Sequence, residues 1–109
     1  MRTPSRSLRV PVDQSIIQWV YNESVYPELI RQGTLRVEVL DDRVLKDPGT
    51  SPLGTRSQVL RYYNDAGTLF LDVHQRLHPD GTIGGSGKPD PKRVLIQEVF
   101  LLVEGEQMP

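Results

Sequence analysis

The segment Asn64-Asp65-Ala66-Gly67 narrows the fold more than any other part of the chain. It separates two blocks of β-type sequence, Gln58–Tyr63 and Thr68–Leu77. Asn and Asp favour a type I turn, and Gly67 can take the left-handed position that closes it, so the two blocks predict an antiparallel hairpin. In the second block Leu69, Leu71, Val73 and Leu77 share one face, and Phe70, Asp72, His74 and Arg76 share the other. Thr34–Leu40 repeats the alternation: Leu35, Val37 and Val39 interleave with Arg36 and Glu38, which predicts a strand with one buried and one wet side. Arg93–Val103 is apolar on both faces, Val94, Ile96, Phe100 and Leu102 on one and Leu95, Val99, Leu101 and Val103 on the other. That pattern predicts a central strand covered on both sides, unless Gln97-Glu98 forms a tight turn between two short strands.

Ahead of these strands lies one stretch with helical spacing. Asp13 can cap a helix, with Ser15 and Gln18 as a weak capping box one turn in. Ile16, Val20 and Ser24 then fall on one face, with Ile17 and Tyr21 beside it. The β-branched and aromatic run Ile16–Tyr21 also suits a strand, so residues 14–26 stay open between the two, with helix preferred. Pro27 interrupts the pattern, and Glu28–Gln32 makes a further turn with Pro27 at its first position and Gly33 as its stop. The expected fold is α+β: an N-terminal helix packed on a mostly antiparallel sheet of three to five strands. Residues 1–12 read as a flexible polar lead, 13–103 as one domain and 104–109 as a loose tail. Residues 46–57 are turn chemistry throughout and read as a loop.

Composition excludes several classes. The 109 residues contain no cysteine, so there is no disulfide framework, thiolate metal site or cysteine nucleophile, and a reducing cytoplasmic location is the expectation. A net charge of −1 argues against a protein that coats nucleic acid through bulk charge. The apolar run Val99–Val103 is far short of the ~20 residues that span a bilayer, and the basic start Met1–Ser7 lacks the apolar stretch of a secretory signal, so no membrane partner is expected. A sheet edge would allow a homodimer, but the sequence does not reveal which strand is an edge.

Residues 78–93 hold four of the nine glycines and three of the nine prolines. Across residues 74–93, Arg76, Lys88, Lys92 and Arg93 outnumber Asp80 and Asp90, a local +2 in a chain of −1. A phosphate-binding P-loop is rejected: the position five before Gly87 is Thr82 rather than glycine, and Pro89 replaces the hydroxyl residue after Lys88. Two readings of Gly84–Lys88 remain, a hairpin tip and a backbone nest that points N–H groups at an anion. The segment His74-Gln75, Pro79-Asp80-Gly81-Thr82, Gly84 and Ser86–Arg93 resembles one found in small uncharacterised bacterial proteins. The resemblance covers about a fifth of the chain and implies a small bacterial-type domain, with no catalytic residue carried over.

The chemistry open to this segment is limited. His74 and His78 stand about 13 Å apart along a strand, too far to share one metal ion without a bend, so neither metal nor cofactor is expected. Asp72, on the face of His74, could orient its ring. Ser86 lacks the glycine spacing of a nucleophile elbow. Tyr62-Tyr63 sends one ring to each face, which fits core packing better than a platform for bases. The leading expectation is a binding or interaction module, with Gly84, Gly85, Ser86, Gly87, Lys88, Lys92 and Arg93 contacting an anionic ligand or protein partner. The alternative is a small toxin-like, metal-independent ribonuclease, with His74 or His78 as acid or base, Arg76, Lys88, Lys92 and Arg93 on the phosphate and Ser86 adding a hydrogen bond.

Overall fold

The computed structural model describes residues 8–85 and 87–105. The elements in chain order are β1 (Leu8–Val12), α1 (Gln14–Glu23), α2 (Tyr26–Gln32), β2 (Arg36–Val44), β3 (Arg56–Tyr63), β4 (Phe70–Leu77), β5 (Asp90–Ile96) and β6 (Val99–Val103). They form one six-stranded sheet in the order β1-β6-β5-β4-β3-β2. Strands β2 to β6 make an antiparallel meander, and β1 joins it by parallel pairing with β6. The two helices carry the chain from the β1 edge to the β2 edge across one face of the sheet.

This corrects the expectation of one helix on three to five mostly antiparallel strands. There are two short helices, six strands and a mixed sheet. Residues 8–12 are not a loose lead but an edge strand, which tolerates Pro11 because an edge position does not require every N–H in a ladder. Of the two readings of residues 93–103 the structure takes the tight turn: Gln97, at φ 55, and Glu98 turn the chain so that Ile96 pairs with Val99. Leu101 therefore stands opposite Val94, and Phe100 opposite Leu95. The helix side is lined by Val94, Ile96, Leu101 and Val103, and the other side by Leu95, Phe100 and Leu102. The expected buried side of Thr34–Leu40 holds only at Leu35, which packs partly buried against the core; Val37 and Val39 are 54% and 56% exposed on the outermost strand.

Helix α1 forms as the spacing allows, but it buries Ile17 and Tyr21 and leaves Ile16 and Trp19 outside. Asp13 occupies the cap position; its backbone carbonyl accepts from the Ile16 and Ile17 N–H groups, while its carboxylate makes no capping bond. Ser24 ends α1, its hydroxyl donating to the Tyr21 carbonyl and accepting from the Tyr26 N–H. Helix α2 starts at Tyr26-Pro27 and stops at Gly33, whose φ of 71 supplies the left-handed residue anticipated there. Ile17, Tyr21 and Tyr26 pack with Leu60, Leu71, Val73 and Val94 in the main core.

Tyr26 does more than fill space. Its hydroxyl accepts from the Phe70 N–H at 3.0 Å and donates to the Leu95 carbonyl at 2.6 Å. A side chain from α2 thus bridges β4 and β5 beyond their last paired residues, satisfying two buried backbone groups. Burial pushes this phenol up to about 12.

The opposite face of the sheet carries no helix among the described residues. Phe70, Leu95 and Phe100 are nonetheless buried there, with the two rings 5.4 Å apart. Arg9 lies 5.1 Å over Phe100 and Arg61 lies 4.7 Å over Phe70. Arg61 also grips the fully buried Asp72 through two bonds of 2.7 and 2.9 Å. The hydrogen bonds that Arg61 donates to Asp72 raise its pKa.

Candidate functional site

At the far end of this open face two loops meet over β4. The first, residues 45–55, is a chain of turns: Ser51 N–H donates to the Pro48 carbonyl, Thr55 N–H to the Pro52 carbonyl and Leu45 N–H to the Thr55 carbonyl. The second starts where β4 ends. His78 N–H donates to the Thr82 carbonyl, Gly84 N–H to the Arg76 carbonyl, and Leu77 bridges Ile83, so the chain folds straight back on β4. Asp80 stabilises that turn by accepting from the Thr82 N–H and hydroxyl, bonds that hold its carboxyl below the usual range. A Cβ on Gly54 would stand 3.2 Å from Pro79 Cγ, so the two loops pass close to each other.

Between them lies a cavity of about 310 Å³. Its floor is His74, Gln75 and Arg76 from β4; one wall is Thr50 and Ser51, and the other is Gly84, Gly85, Lys88 and Asp90. The half-buried His74 shares a hydrogen bond of 3.0 Å between its Nε2 and the Ser57 Oγ of β3. Ser57 is buried, so this contact fixes the ring edge from beneath. Asp72, on the same face, accepts from Arg61 through both of its oxygens.

The expected residues separate into groups. His74, Gly84, Gly85 and Lys88 come together in the cavity. His78 does not line it: its Nδ1 meets the Thr82 hydroxyl at 3.1 Å, and its ring backs onto Gly84. A Cβ on Gly84 would stand 2.9 Å from His78 Nε2 and 3.3 Å from Arg76 Cβ, so only glycine fits this approach without displacing a neighbour. Gly87 N–H donates to the Gly84 carbonyl. Two N–H groups of the would-be nest are thereby used within the loop and do not point at an anion. Ser86 lies outside the described residues.

Lys92 and Arg93 are elsewhere. Pro91 cannot donate to the ladder, and the register with β4 shifts between Asp72 and Val73 at this point. Lys92 is the extra residue of that bulge; its Nζ donates to Gln14 Oε1 on α1, and Gln14 Nε2 donates to the Pro91 carbonyl. Arg93 stands on the open face opposite Asp72 and Leu102.

Thr50, Ser51, Ser57, Gln75 and Asp90 were not singled out from the sequence as site residues. Thr50 and Ser51 lie in the segment 46–57 that reads as a loop from its turn chemistry, and only the fold brings them beside His74, though the segment's last two residues, Arg56 and Ser57, belong to β3. No protein-family model, curated protein or solved structure matches this chain. No helix among the described residues is long and apolar enough to cross a membrane.

Proposed function

We propose that the chain is a binding module for a small anionic ligand, with a phosphate-bearing compound as the best chemical fit. The observation that carries this is the convergence of Arg76 and Lys88 with His74 and the hydroxyl residues Thr50 and Ser51 around one cavity. Two cations and several hydrogen-bond groups suit a phosphate, which takes charge-assisted bonds from several directions. The volume of about 310 Å³ is at the low end for ligand pockets, which favours a small molecule over a protein segment. Asp90 adds one negative group to the rim. It favours a ligand that pairs its anion with a hydroxyl or amine donor, and it disfavours a plain polyanion.

The test is a titration of isotope-labelled protein with inorganic phosphate and with a sugar phosphate, followed by amide shifts. Saturable shifts confined to residues 50, 51, 74–76 and 84–90 are expected, weakened about tenfold by Arg76→Ala or Lys88→Ala, the loss of about one charge-assisted hydrogen bond. Shifts absent at millimolar ligand, or unchanged in both variants, overturn the reading.

A second reading, metal-independent RNA cleavage, draws on one observation: His74 stands in the same cavity as Arg76 and Lys88. A ring held by Ser57 beside two cations has the parts of an acid or base next to a phosphate. RNA incubated with the wild type and with His74→Ala separates the two; no cleavage by the wild type removes this reading.

A further inference from the structure

The two edges of the sheet are unequal. β1 has 5 residues and contains Pro11, which weakens it as a template for another strand. β2 has 9 residues, lies outermost and contains no proline. Its side chains Val37 and Val39 are more than half exposed, and no helix packs on this strand among the main contacts.

The hydrogen-bonding phase of β2 follows from the β3–β4 hairpin. Asn64 N–H donates to the Leu69 carbonyl, so Asn64 faces β4. By alternation Tyr62 also faces β4, while Arg61 and Tyr63 face β2. Arg61 and Tyr63 stand opposite Glu38 and Arg36, so those two residues are bonded inward. Val37 and Val39 therefore hold their N–H and C=O groups toward the free edge.

From this edge we infer that β2 pairs antiparallel with β2 of a second copy, about a two-fold axis through Val37. In that register Val37 faces its own counterpart, and Arg36 of each copy faces Glu38 of the other, on the open face. Leu35 faces Val39 of the other copy on the helix side. Opposite charges directly across a ladder stabilise it, and like charges destabilise it. Moving the axis to Glu38 or to Asp42 sets carboxylates against each other, which the Val37 register avoids while pairing Arg36 with Glu38. The register shift between Val39 and Asp41 ends the straight stretch of strand and limits the ladder to about residues 34–40. Arg36 already contacts Asp65 within its own chain at 2.6 Å, and Glu38 of the second copy would join that exposed pair. The result is one continuous sheet with both helix layers on the same side, an isologous dimer of the commonest symmetry.

The experiment combines sedimentation equilibrium with cysteine cross-linking, for which the cysteine-free chain is a clean background. A concentration-dependent dimer is expected. Glu38→Arg should raise its dissociation constant about tenfold by setting Arg36 against a new cation, and Arg36→Glu combined with Glu38→Arg should restore it. Under mild oxidation Val37→Cys should form a covalent dimer, while Val44→Cys, exposed on the same strand but outside the register, should not. A protein that stays monomeric to millimolar concentration overturns the inference, as does equal cross-linking through positions 37 and 44 or failure of the charge exchange to restore the dimer.

Discussion

The two faces of the sheet bury apolar side chains to the same depth by different means. On the helix side Leu71, Val73 and Val94 have no exposed surface because Ile17, Tyr21 and Tyr26 are laid over them. On the open side Phe70 and Phe100 are 2% and 1% exposed without a helix, since guanidinium groups cover the rings. A guanidinium suits this because its flat face is weakly hydrated while its edges remain free to donate hydrogen bonds. The first face is held by volume and the second by geometry. Substitutions should therefore hurt for different reasons on the two sides.

The largest expected effect is on the open side. Arg61→Met leaves Asp72 buried without its partner and should cost about 3–5 kcal/mol in urea unfolding, with little rescue by Arg61→Lys, which cannot make the two parallel bonds. A cost below about 1 kcal/mol would show that packing alone holds this face. Leu71→Ala tests the helix side; its cavity should cost about 3 kcal/mol, and a shorter aliphatic residue such as valine should recover much of it. Tyr26→Phe keeps the volume and removes the bridge between Phe70 and Leu95, so a loss of about 2 kcal/mol would be hydrogen bonding rather than packing.

Tyr26 also gives the comparison a pH dependence. Its phenol ionises near 10 in the unfolded chain and at about 12 in the folded one, so its share of stability is complete below pH 10. That share is lost as pH rises from 10 through 12, because the unfolded chain releases the proton first. Urea midpoints measured at pH 9, 11 and 12 should show this component in the wild type and lack it in Tyr26→Phe. The smallest effect should come from Arg9→Ala at the sheet edge, about 0.5–1 kcal/mol for one exposed cation over Phe100. An undetectable change there would confine the guanidinium roof to Arg61.

Local chemistry made much of this fold readable in advance. Gly67 at φ 75 closes the β3–β4 hairpin, and Pro27 and Gly33 bound α2, because each acts within a few residues of its own position. The parts that were not readable depend on distant pairing. Nothing near Leu8–Val12 announces that β6 lies beside it, and Pro11 argues locally against a strand. Val37 and Val39 alternate as a buried strand should, but burial depends on whether a helix reaches the edge, which alternation does not encode. The site divides in the same way. His74 and Lys88 stood out by residue type and neighbourhood. Thr50, Ser51 and Ser57 join them only through the fold, and Lys92 is lost to the cavity because a bulge beside Pro91 turns it toward Gln14.

The parallel pairing of β1 with β6 bears on the order in which the molecule assembles. Leu8 meets Val99 and Val12 meets Val103, contacts that span almost the whole sequence. The β3–β4 and β5–β6 pairs join neighbours across short turns and need little chain entropy to close. The meander is thus free to form before the N-terminal strand arrives, and loop-closure entropy predicts that this strand fastens last. Amides of Leu8–Val12 should accordingly exchange with solvent well ahead of those in β4, and uniform protection across the sheet would contradict this sequence of events.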